Sequence, residues 1–347
     1  MMQVRREQEG EAERIAKAMR SVGLSCTAEY LNRTFQRHGV VVEDEAGCVV
    51  GYCGLIPAQV WVGERTLPAI QLGMLGLLAK GASALPELID GVRQAIGSTF
   101  CYANTANAKG SMIWTRYAGF TAGPRGCGEI HYAVCDLVGL CCAALSRRGH
   151  WMRWLATGVY WLVAPLRWLE RGVAWAQLGF RNPCLGTDFS LPRWRGFLVA
   201  LRRQMKGVMT AREIDDLAVR FGEHSVIVWG SEQVLGYIVI RRRYFSGGVI
   251  PRYDIVDLCA LGNDDLVLTN LLRQGCRFVR AQGGAVLEYV GAPIGHEATI
   301  ARVLSRVRPA PSNSFVYLNA EGTVGRESLA SLDGWFFGPY DGDRCIS

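Results

Sequence analysis

The chain has 347 residues, half of them hydrophobic and a fifth charged, a globular balance with length for one large domain or two ordinary ones. Its 38 Lys and Arg against 31 Asp and Glu leave a formal charge of +7. That excess is too small to argue for nucleic acid without a dense basic-aromatic motif, though it suits an anionic ligand or membrane surface. None of the twelve cysteines forms a Cys-x-x-Cys pair or has a histidine at zinc-finger spacing, which argues against a metal site and for reduced thiols in a cytosol.

The first twenty residues are charged and have no apolar run of the kind a secretory leader needs. They predict an amphipathic helix with Ile15, Ala18 and Met19 on one side. From Gly39 to Val62, two β-rich stretches flank the polar turn Glu43–Gly47, which predicts a hairpin. Residues 224–245 repeat the pattern around a turn at Gly230–Gln233. The second strands echo each other: Cys48–Ile56 reads CVVGYCGLI and Gln233–Ile240 reads QVLGYIVI, with the Gly-Tyr pairs 185 residues apart.

The elements after each hairpin also match. The first hairpin is succeeded by an apolar strand (67–79), a Gly loop feeding a helix (80–97), a strand (99–105), a helix (107–119) and a final strand, GEIHYAV. The second is succeeded by a strand (252–261), a helix (262–283), a strand (285–291) and a helix (295–307). In both copies the strand after the first helix opens 49 residues beyond the hairpin glycine, at Phe100 and Ala285. Equal spacing with equal order points to a tandem duplication. The expected class is α+β (mixed α/β), with two units, each a central mixed sheet flanked by helices. The expected domains are 1–139, a linker at 140–206, and 207–347.

The linker carries Trp151, Trp154, Trp161, Trp168 and Trp175, the last four spaced by seven, with Pro165 expected to kink or break the helix. Its uncharged run, Trp154 to Leu166, is 13 residues, too short to span a bilayer. Trp punctuated by Arg suits an interfacial helix over 151–178, with peripheral contact at the inner membrane face. The other reading is a helix packed over the seam between domains.

The order of elements resembles the Gcn5-related N-acetyltransferase (GNAT) superfamily, in its tandem form, over about residues 20–135 and 210–320. The segments that carry the resemblance are the CVVGYCGLI hairpin, the LLAKGASA loop and NAKGSMIWTRYAGF, with DGWFFGPYDGD at the tail. It implies an acyltransferase using acetyl-CoA or a longer acyl-CoA, with no metal. The acceptor would be the amine or hydroxyl of a small or lipid-linked molecule, such as an amino sugar or amino acid.

In such a protein Lys80, Gly81, Ala82, Ser83 and Ala84 would form the turn that meets the pyrophosphate at a helix N-terminus, where backbone N–H groups and the dipole favour an anion. The family pattern places glycines where this chain has Ser83 and Leu85. Leu75 and Leu77 would bind the pantetheine arm through their backbone, with Gly76 allowing close approach. Asn104 and Asn107 would reach the same arm, Asn107 doubling as a helix cap. The position of the family's acid tyrosine is Thr115, while Tyr117 points elsewhere on the helix. Glu129 and His131, two apart on one strand, form a candidate base pair. In the second unit Asp264 and Asp265 would repel a pyrophosphate and read as a helix cap. Asp254 and Asp257 are candidate acceptor-binding residues there, followed by Glu288 and His296. A catalytically silent tandem scaffold, bound to a ligand or a membrane surface, is the alternative. Oligomeric state is left open.

Overall fold

A computed structural model describes residues 2–336 except 25, 37, 107, 124–128, 147–149, 180–183, 186–188, 190–191, 205–206, 222–223, 231, 245–250, 291–295, 310–313, 320–321, 323, 326–328 and 330–334. In chain order the elements begin β1 (Gln3–Arg6), α1 (Ala12–Ser21), α2 (Ala28–Phe35), β2 (Gly39–Glu43), β3 (Val49–Val62) and β4 (Arg65–Leu77). Next come α3 (Leu85–Ile96), β5 (Phe100–Ala106), α4 (Ala108–Tyr117), β6 (Thr121–Ala122), β7 (Glu129–Val134) and α5 (Leu137–Ser146). The middle of the chain forms α6 (His150–Leu162), α7 (Ala164–Gly179), β8 (Cys184–Leu185), α8 (Pro192–Gln204), β9 (Val208–Thr210) and α9 (Ile214–Phe221). The series closes with β10 (Ser225–Trp229), β11 (Gly236–Tyr244), β12 (Pro251–Ala260), α10 (Asp265–Ala281), β13 (Val286–Val290), α11 (Glu297–Val303), β14 (Arg306–Pro309), β15 (Ser314–Leu318) and β16 (Trp335–Phe336).

Two mixed sheets result. The first runs β1-β2-β3-β4-β5-β15-β6, with β9 paired to the far end of β3 and β16 to β9. The second runs β14-β7-β13-β12-β11-β10-β8. The predicted hairpins are β2–β3 and β10–β11. The first closes because the Asp44 carboxylate accepts the Ala46 and Cys48 N–H groups and Gly47 takes a positive φ. The N-terminal helix starts at Ala12 rather than at the first residues, because residues 3–6 pair with β2; it buries Ile15 and Met19 as expected.

The compact units divide the chain differently from the linear partition. The first unit is Met1–Gly128 with Met205–Ala211 and Ala310–Ser347; the second is Glu129–Gln204 with Arg212–Pro309. The expected final strand of the first unit, β7, lies in the second sheet between β13 and β14. The corresponding place beside β5 is taken by β15. The stretch 140–204 forms part of the second unit, where α7 lays Ala174 and Leu178 on the core built around α10.

In the first unit Phe35 of α2 fixes the packing. It is fully buried, worth roughly 1.5–3 kcal/mol, and its ring occupies the space a Cβ would need at both Gly54 and Gly73. Those glycines sit on neighbouring strands where the β3–β4 register slips by one residue, so the ring and the bulge specify each other.

Candidate functional site

In the first unit β4 and β5 pair in parallel only at Ala69–Gln71 with Phe100–Tyr102. Beyond Gln71, β4 keeps its pairing to β3 through Leu77. Among the described residues no strand pairs with its other edge, so the two parallel strands fork. Leu75 and Leu77 lie on this free stretch, half-buried. Gly76 is explained by packing: a Cβ there would meet the side chains of Met19 and Leu24.

The residues after β4 form a 3-10 helix, Ala79–Ala84, that runs into α3. This is tighter than the open turn expected. The Gly81 N–H is spent on the Leu78 carbonyl and the Leu85 N–H on Ala82. Gly81 is small because Val50 lies against it. Ala82 and Ser83 are exposed, and Ala84, at the N-cap of α3, provides no side-chain acceptor. Lys80 Nζ donates to Asp44 Oδ2 at 2.6 Å. That contact holds the Asp44 carboxyl below and the Lys80 ammonium above their ordinary values. The cation expected for a phosphate is therefore engaged with the hairpin turn.

One residue at the fork was missed by sequence reasoning. Gln71, the last paired residue of β4, is fully buried, and neither its amide nitrogen nor its oxygen has a partner among the described residues. A buried unsatisfied amide costs about 1–3 kcal/mol, so the position has hydrogen-bonding capacity that the protein leaves open. Opposite it, Tyr102 is also buried, but its hydroxyl is paired with Thr210 at 2.9 Å. A lone Gln in an apolar strand was the only signal in the sequence.

The other expected residues are dispersed. The side chain of Asn104, in β5, and the whole of Asn107 lie outside the described residues. Thr115 donates its hydroxyl to the Ser111 carbonyl at 2.8 Å, and Tyr117 is exposed. The Gly119-Phe120 ending is a helix stop: Gly119 has positive φ and Phe120 N–H reaches back to the Trp114 carbonyl. Glu129 and His131 belong to the second unit. His131 is buried, in register with Tyr289 and Val307; the Glu129 side chain lies outside the described residues.

In the second unit the acceptor expectation for Asp257 is overturned. Asp257 is buried and takes two hydrogen bonds from Arg212, at 2.9 and 2.8 Å, and one from the Tyr237 hydroxyl at 2.5 Å. Burial beside that carboxylate pushes the Tyr237 phenol far above its ordinary value. No face of Asp257 remains for an acceptor. Asp254 shares no partner with it, lying instead 3.1 Å from Arg243 and 3.7 Å from both Arg241 and Arg252. Glu288 is 3.5 Å from Arg252 and in register with Asp254. Asp264 is a helix cap as expected, accepting from Leu266 and Val267 N–H. His296 is buried at the start of α11, and desolvation lowers its pKa. Among the described residues no group of acidic, His and Cys side chains is arranged to hold a metal.

No family model matches the sequence, and no curated protein matches it. Solved structures do match. The N-myristoyltransferase of Saccharomyces cerevisiae, solved with bound myristoyl-CoA and inhibitors, aligns with TM-score 0.57 at 8% identity, over 92% of this chain and 80% of that one. A GCN5-related N-acetyltransferase from Anabaena variabilis aligns with TM-score 0.55 at 11% identity, over 92% and 73%. A conserved protein of Enterococcus faecalis gives 0.55 at 9%, again over 92% and 73%. With its two mixed sheets, the chain has the GNAT fold.

Proposed function

We propose that the protein is an acyltransferase whose first unit binds the donor, acetyl-CoA or a longer acyl-CoA, along the β4 edge of the fork. The acceptor would be an amine or hydroxyl of a small or lipid-linked molecule, such as an amino sugar or amino acid. The observation that carries the reading is the fork itself, with Gln71 at its base. An open strand edge provides backbone donors and acceptors for an extended amide-containing arm, and the N-terminus of α3 has no side-chain cap that would compete with an anion. A structural neighbour with bound myristoyl-CoA supports the donor class. In such a transfer the acceptor nitrogen or oxygen loses a proton and forms a bond to the acyl carbon, the carbon–sulfur bond breaks, and the departing thiolate takes up a proton. Gln71 would orient one of the polar groups at the reacting centre through its unspent amide. Glu129 and His131 belong to the second sheet, and no role in the donor unit is assigned to them.

The fit is incomplete at the phosphate end. Lys80 must leave Asp44 to meet a pyrophosphate, and Thr115 is tied to its own helix. That second observation favours the alternative, a silent GNAT scaffold that binds a ligand without turnover.

A thermal-shift titration with acetyl-CoA, a long-chain acyl-CoA and free CoA, paired with an assay for released thiol, separates the two. A ligand specific for the folded state at about a hundredfold over its Kd adds about 2.7 kcal/mol of apparent stability. Stabilisation with thiol release supports the enzyme; stabilisation without release supports the scaffold; no stabilisation by any thioester refutes the enzyme and leaves the scaffold. Gln71→Leu removes an unsatisfied amide, so it should leave urea stability unchanged or raised by about 1–3 kcal/mol while thiol release falls about tenfold or more. Full activity in that variant would remove Gln71 from the mechanism.

A further inference from the structure

Two cysteines of the second unit stand together. Cys135 follows the last residue of β7, and Cys276 lies in α10. Cys135 belongs to the core built around α10, and Cys276 packs against the same core. Hydrogen bonds hold Cys135 from two sides. Its N–H donates to the Ala285 carbonyl at 2.8 Å, just before β13. Its carbonyl accepts from Arg280 Nε at 3.1 Å, and Arg280 is one turn beyond Cys276 on the same face of α10. The two thiols are hydrogen-bonded to each other, and neither is in a disulfide.

The surroundings make the pair unequal. Cys135 is buried, while Cys276 is half-buried. The hydrogen bond with Cys135 and the guanidinium groups of Arg280 and Arg277 favour the Cys276 thiolate and lower its pKa. The same hydrogen bond, with burial, pushes the Cys135 thiol well up. One sulfur is thus suited to attack and the other to keep its proton. Cys53 and Cys101 give the contrast. Both are fully buried, and burial pushes Cys53 up to about 12 and Cys101 well above its ordinary value.

We propose that Cys276 and Cys135 form a peroxide-sensitive latch, a dithiol that a hydroperoxide converts to a disulfide tying the end of β7 to α10. The Cys276 thiolate attacks one peroxide oxygen, the O–O bond breaks, and the departing oxygen takes up the proton that Cys276 has released. Cys276 is then a sulfenic acid. The Cys135 sulfur attacks the Cys276 sulfur, the S–O bond breaks, and hydroxide leaves as water with the Cys135 proton. Two electrons pass from the two sulfurs to the peroxide. The cysteines are far apart in sequence, so the bond closes a long loop and constrains the unfolded chain strongly. The strand it fastens is β7, which sits between β13 and β14 and whose preceding residues belong to the first unit. The inference is independent of acyl transfer.

The test is oxidation of the full chain with limiting hydrogen peroxide, followed by peptide mass mapping without reduction and by thermal unfolding. A peptide pair linked through Cys135 and Cys276 should be the main product. The oxidised protein should melt about 5 °C or more above the reduced one, and dithiothreitol should reverse the shift. Cys276→Ser should slow peroxide consumption about tenfold or more. Cys135→Ser should leave Cys276 as a sulfenic acid that dimedone traps. Thiols at Cys135 and Cys276 that survive while the exposed Cys48 and Cys141 are oxidised overturn the proposal. A linked pair with an unchanged melting temperature overturns it as well. If a variant fails to fold, the wild type alone decides: the linked peptide must form in the folded protein and raise its melting temperature.

Discussion

The two units share a frame and differ in how its fork is filled. Across β3–β4, Gly51-Tyr52 opposes Gly76-Leu77; across β11–β12, Gly236-Tyr237 opposes Cys259-Ala260. Both third strands then carry one extra residue at a bulge, and both leave their parallel neighbour close by, after Gln71 in β4 and after Ile255 in β12. In this shared register Met74 stands where the second unit has Asp257, and Gln71 where it has Asp254. The first unit keeps an uncommitted amide at the fork. The second meets Asp257 with Arg212 and Tyr237, and Asp254 with three arginines. The helix after the fork differs likewise: α3 has no side-chain cap, while Asp264 caps α10. At the fork, one frame thus leaves the Gln71 amide open and the other engages Asp254 and Asp257 in ion pairs. Fold places a helix end and a strand edge; side chains decide whether anything binds there.

The largest expected effect of breaking this contrast is in the second unit. Arg212→Met leaves Asp257 buried without its counter-ion and should cost about 3–5 kcal/mol in urea unfolding. Adding Asp257→Leu should recover much of that loss, because the pair's desolvation is then removed as well. A single variant as stable as wild type would mean that the cluster does not hold the fork shut. Asp264→Ala should cost only about 1 kcal/mol, the worth of a cap, with no change in CoA affinity; weakened CoA binding would place a ligand in the second unit.

The smallest effect is on acid stability of the first unit. Hydrogen bonds from Arg5 hold the Glu11 and Glu43 carboxyls below the ordinary value of about 4.5. A depressed folded-state pKa gives stability that is fully present above the unfolded value and lost as pH falls through the folded one. Urea midpoints should therefore drop below about pH 4.5, and Arg5→Met should flatten that drop. An identical acid limb in the variant would show that the network adds nothing.

Much of the frame was legible. The repeated hairpins and the Asp264 cap are local patterns and lie where the pattern implies, and the expected strand starts at Phe100 and Ala285 are met at Phe100 and, one residue late, at Val286. The strand exchange was not: GEIHYAV and SFVYL are both β-rich, and neither states which sheet will take it. Gly76 looked like room for a ligand because nothing nearby in sequence announces Met19 beneath it. Asp257 looked available because Arg212 lies 45 residues away. Gln71 shows its isolation only once its surroundings are assembled.

The most direct test of the account is a calorimetric titration of CoA into wild-type protein and into Ser83→Asp, which sets a carboxylate at the turn before α3. The account predicts one site per chain in the wild type. A carboxylate against a pyrophosphate costs several kcal/mol, so the variant should bind about a hundredfold more weakly with its thermal stability intact. Two sites, no site, or equal affinity in the variant would contradict the assignment of the donor to the fork of the first unit.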